Sequence, residues 1–116
     1  MATKRFAAKL MFYHEVENES SRVQTCEERI TILRARNAQS ALQKFERYGE
    51  KAEYTFENDS GDDVRFCYLG IVELKCLGFL EEEEVWYEIV DRKNPAGRKE
   101  KFIPPVEMLE AIRCGE

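Results

Sequence analysis

The chain holds one histidine, one tryptophan, three prolines and six glycines in 116 residues, and it has no long apolar run. Each shortage excludes something. With His14 as the single histidine, a metal site or proton relay that needs two histidines is impossible. No two glycines stand as G-x-G, and neither G-x-x-x-x-G-K-[S/T] nor G-x-S-x-G occurs, so the usual phosphate-binding loops and the serine-hydrolase elbow are missing. No stretch reaches the roughly 18 apolar residues of a membrane span. Lys9 also interrupts the N-terminal apolar positions before they reach the length of a signal core. A cytoplasmic protein outside the membrane is the expectation, with no cofactor.

Cys26, Cys67, Cys76 and Cys114 are scattered without a C-x-x-C, which argues against a zinc ribbon or a thioredoxin-type site. They are expected to be reduced thiols in the core. Cys67 and Cys76 stand an odd number of positions apart on one predicted strand, so without a bulge they face opposite ways. The loop from Asn58 to Asp63 concentrates oxygen ligands around Gly61. In calcium-loop register, however, it places Phe56 first and Cys67 twelfth, where acidic ligands are needed. It reads as a hairpin turn.

Net charge is −5, which opposes sequence-independent binding of nucleic acid and suits a basic partner. Arg92, Lys93, Arg98, Lys99 and Lys101 form a local exception. They are a candidate phosphate-contacting loop or, more blandly, a solvated loop balanced by Glu81 to Glu84.

What is present is a globular composition, 43% apolar and 35% charged, of a length that fits one domain over residues 1–116. Phe6, Ala8, Leu10 and Phe12 share one face of a strand, with Lys9 and Glu15 on the other, and Val23, Thr25, Ile30, Ile32 and Leu33 follow a polar turn, predicting a long first hairpin. Asn37 is placed as an N-cap. Ala38, Ala41, Leu42, Phe45 and Tyr48 then recur at helical spacing, up to Gly49 as an expected left-handed C-cap. Tyr54 and Phe56 alternate with Glu53, Thr55 and Glu57. The return strand, Val64 to Leu77, sets Val64, Phe66, Tyr68, Val72 and Leu74 against Cys67, Leu69, Ile71 and Leu77, with Gly70 a bulge or a point of close approach. Val85 to Val90 reads as a fifth strand ending at Asp91, and Pro104 to Arg113 as a short terminal helix. The fold class is α+β: a two-layer, mainly antiparallel sheet of about five strands in the order β-β-α-β-β-β-α, with one main helix on one face.

Several segments carry a resemblance: Phe6 to Val16, Glu28 to Ala35 leading through the helix to Lys44-Phe-Glu-Arg-Tyr-Gly49, Glu53 to Asn58, and Val64 to Val72. The chain resembles a bacterial family of small proteins known as domain of unknown function 4288. That resemblance implies a compact bacterial domain and assigns no activity to any residue.

Both strand faces carry apolar residues, yet one helix covers one face. Met11, Tyr13, Leu69, Ile71 and Trp86 are therefore the candidate interaction surface. They await cover by the terminal helix, by a second copy in a homodimer, or by a protein partner. The expected function is a non-catalytic interaction or self-associating module. The alternatives are an immunity-type protein that neutralises a basic toxin, and a small enzyme with a carboxylate or Cys-His site in which His14 activates a thiol.

Overall fold

The computed structural model describes residues 2–17, 23–79 and 86–116, and of residues 86–90 the backbone alone. Five strands form one sheet: β1 (Lys4–Val16), β2 (Val23–Ala35), β3 (Tyr54–Glu57), β4 (Asp63–Gly78) and β5 (Trp86–Lys93). Their spatial order is β3-β4-β1-β2-β5, and every pairing is antiparallel. The helix α1 (Ala38–Lys51) follows β2, and two single-turn helices, α2 (Lys99–Phe102) and α3 (Glu110–Arg113), lie in the C-terminal segment. The expected element order holds, with α2 added. The predicted acidic turn Glu81 to Glu84 lies outside the described residues.

Helix α1 begins where Asn37 Oδ1 accepts the Ser40 backbone N–H at 2.9 Å, satisfying a first-turn donor that the helix itself cannot. Its apolar stripe, Ala38, Ala41 and Phe45, packs on Phe6, Ala8, Leu10 and Phe12 of β1 and on Leu74 of β4, all buried. Burying each Phe or Leu of this set contributes about 1.5–3 kcal/mol.

The helix does not stop at Gly49. It runs to Lys51 and is capped by Ala52 in an ordinary right-handed conformation. Gly49 serves close approach instead. A Cβ there would collide with the ring of Tyr68, whose hydroxyl donates to Glu46 at 2.9 Å and whose ring lies 5.6 Å from that of Phe12.

Register shifts in β4 against β1 change the expected faces. Phe12 pairs with Tyr68 but Met11 with Gly70, and Leu10 pairs with Ile71 but Lys9 with Glu73. Each shift inserts one residue and reverses the alternation, so the error is confined to the stretch between the two. Ile71 thus turns to the helix side and joins the core with Leu10, contrary to its predicted place on the opposite face. Leu74 and Cys76 stay on the helix side, because the two shifts cancel.

The terminal segment does not cover the second face with its helix. Leu109 and Ala111 pack into the core on the side of α1. The preceding stretch reaches the opposite face: the Arg92 guanidinium lies 4.7 Å from the Phe102 ring centroid, and Ile103 fits against Gly70. Arg92 also donates to Glu28 at 3.1 Å, and by alternation Glu28 shares its face with Met11 and Cys26. Strand β5 itself runs past Asp91 to Lys93, and the chain turns at Asn94, whose φ is 43°.

Gly49→Ala tests the helix-to-sheet approach. Helix propensity alone would raise stability by about 1 kcal/mol, but overpacking against a ring held at its hydroxyl costs about 1–3 kcal/mol. A lower urea midpoint is expected, and an unchanged or higher one would show that the Tyr68 ring yields.

Candidate functional site

By residue count, α1 covers the sheet only as far as Phe12. At that level Arg29, from β2, closes its end. The guanidinium donates to the Tyr48 hydroxyl at 3.2 Å and to Glu27 at 2.7 Å, and sits 5.0 Å from the Phe12 ring and 5.5 Å from that of Phe66. Burial acts against the Arg29 charge, but the Tyr48 hydroxyl and Glu27 outweigh it and hold the guanidinium more firmly protonated than usual.

Beyond Arg29 the same face carries a strip of rings with no described helix above it. Phe66 is buried beneath its neighbours, Phe12 stacked at 4.7 Å, Tyr54 at 5.1 Å and His14 edge-on at 5.4 Å. Tyr54 and Phe56 lie 5.8 Å apart at the outer edge of the strip, 54% and 38% exposed. His14 meets Phe56 edge-on at 6.1 Å. A recess of about 290 Å³ opens here, lined by His14, Val16, Val23, Thr25, Phe56 and Asn58 among others.

Around this end stand Glu15, Glu17, Glu57, Asp59, Asp62 and Asp63, and Arg65 is the one Arg or Lys among residues 13–17 and 54–65. Arg65 pairs with Glu15 at 3.7 Å. Lys93 lies farther across the sheet, on the last strand, opposite Val23.

Of the residues expected to form an uncovered surface, Met11 and Leu69 are buried on the face opposite α1, and Ile71 is in the core. Tyr13 is part-buried, with Cys26 and Cys67 as its cross-strand partners. Trp86 pairs with Ile30 through its backbone, and its side chain lies outside the described residues. Tyr54, Phe56 and Arg29 were not among the candidates. The signal for them was present in the alternation of Tyr54 and Phe56 with acidic neighbours, and in a predicted helix shorter than the strands beneath it.

The geometry turns two of the four thiols away from the single histidine. Cys26 and Cys67 flank Tyr13, so they face away from His14, the next residue along β1. Burial pushes both thiols up, which favours the unreactive protonated form. Among the described residues no group of three or more His, Cys, Asp or Glu side chains is placed to hold a metal ion. The basic stretch is partly engaged within the fold: Arg92 bonds Glu28, and Arg98 lies 5.7 Å from the Phe102 ring centroid. No described helix is long and apolar enough to cross a membrane.

The free edge of β4 is guarded. Strand β3 pairs with β4 only from Asp63 to Phe66, and beyond it Glu53 accepts the Tyr68 backbone N–H at 3.0 Å while Glu73 accepts that of Leu74 at 3.2 Å. Carboxylates on edge donors hinder the addition of another strand.

Residues 5–86 match the family model described as Domain of unknown function (DUF4288). The chain belongs to this family. Neither a curated protein nor a solved structure matches it. The matched DUF4288 region takes in β1 to β4 and α1, and so includes Tyr54, Phe56, Phe66, His14 and Arg29.

Burial, followed by the neighbouring Cys67, pushes the Tyr13 hydroxyl up from 10.0 to about 12. A raised folded-state value means that the neutral form is favoured by folding. This contribution is complete below pH 10.0 and is lost as pH rises towards about 12. Tyr13→Phe is therefore expected to flatten part of the fall in thermal midpoint over that interval, with Tyr68, also raised by burial, contributing to the remainder. Equal slopes in the two proteins would contradict the assignment.

Proposed function

We propose that this chain is a non-catalytic protein-interaction module whose contact surface is the aromatic end of the sheet, Tyr54, Phe56 and His14, rather than the face that carries Met11 and Leu69. One observation carries this: large rings remain exposed together on a sheet face whose other half is sealed by a helix. Exposed aromatics of this kind are enriched at protein interfaces and uncommon as contiguous patches on isolated proteins. The capped edge of β4 favours contact through the face over pairing through that edge.

Photo-crosslinking residues placed at Tyr54 and Phe56, and at Gln39 on the outer side of α1 as a control, test this inside the source cell. A discrete adduct with another protein from positions 54 and 56, absent from 39, is expected. An adduct of twice the chain mass would replace the heterologous partner with a second copy. No adduct, or the same adducts from all three positions, would overturn the proposal.

A further inference from the structure

Granting that the aromatic strip is the contact surface, we infer that the partner is a basic polypeptide that lays an arginine or lysine side chain on it. The chain already performs this chemistry on itself. Arg29 rests over Phe12 and Phe66, with Glu27 completing its contacts, so the inner half of the aromatic surface is occupied by a guanidinium. The outer half, Tyr54, Phe56 and His14, repeats the ring surface, whereas the cation–ring contacts among the described residues fall on Phe12, Phe66 and Phe102. Ring faces carry negative potential and attract cations, Arg most often.

Charge points the same way. The carboxylates of the β3–β4 turn and the end of β1 lie at the same end of the sheet as the strip, where they steer a basic partner, and the whole chain carries −5. A nucleic-acid strand would also find rings to stack on, but its phosphates would meet those carboxylates, while the arginines nearest the rings, Arg29 and Arg65, are already paired with Glu27 and Glu15. The acidic balance therefore selects a cationic polypeptide.

The test uses the full chain, isotope-labelled, with N-acetyl-arginine amide as the probe and its neutral isostere N-acetyl-citrulline amide as the control. As the only histidine, His14 gives a single ring signal beside Phe56 and Phe66. The arginine probe is expected to shift the His14, Tyr54 and Phe56 signals saturably, with an apparent affinity about fivefold or more above the citrulline control. That ratio corresponds to about 1 kcal/mol of cation–π attraction. Tyr54→Ala with Phe56→Ala should abolish the shifts while the Phe12 and Phe45 signals stay in place, showing that the fold persists. Equal shifts from both probes would overturn the inference and leave the contact surface standing, since the strip would then bind without regard to charge. Shifts confined to the carboxylates, or saturable shifts with a short single-stranded oligonucleotide and none with arginine, would also overturn it. Failure of the contact surface itself would appear instead as absent cross-links from positions 54 and 56.

Discussion

A mismatch of lengths organises this molecule. Strand β1 has 13 residues and so runs about 43 Å at roughly 3.3 Å per residue. Helix α1 has 14 residues but spans only about 21 Å at 1.5 Å per residue. A helix of this size seals about half of one sheet face, from Phe6 to Phe12, and the rest must be covered by something else. The elongated dimensions, 50 × 25 × 19 Å, follow from the same mismatch.

The chain answers that demand unevenly. On the helix side Leu109 and Ala111 add to the core beside α1, and Arg29 closes the boundary by bridging Tyr48, Glu27 and two rings. On the other side, Phe102 and Ile103 lie over Arg92 and Gly70. What stays open among the described residues is the outer end of the helix side, where Phe66 lies beneath Phe12, Tyr54, His14 and the Arg29 guanidinium. The functional proposal rests there because Tyr54 and Phe56 are exposed side by side, with their rings 5.8 Å apart, on one sheet face.

Local signals were legible wherever local physics decides the outcome. Asn37 caps α1 because its side chain reaches a donor three residues on, and the alternation in β1 survives intact because that strand lies in the middle of the sheet. Ile71 and Gly49 were misplaced for a shared reason. The side on which Ile71 lies depends on bulges set by the pairing of β4 with β1, and the role of Gly49 depends on a ring arriving from β4. Neither is written in the neighbouring residues. The aromatic strip was half legible: Tyr54 and Phe56 show as one face of a strand, but their exposure follows from where α1 ends.

The central claim is that His14, Tyr54 and Phe56 form a solvent-facing strip beyond the reach of α1. Paramagnetic relaxation by a soluble gadolinium chelate measures this directly. The account predicts strong broadening of the Tyr54, Phe56 and His14 ring signals at low protein concentration, with those of Phe12 and Phe45 protected. Protection of all five rings alike would mean that the strip is covered within the chain itself, and would contradict the account.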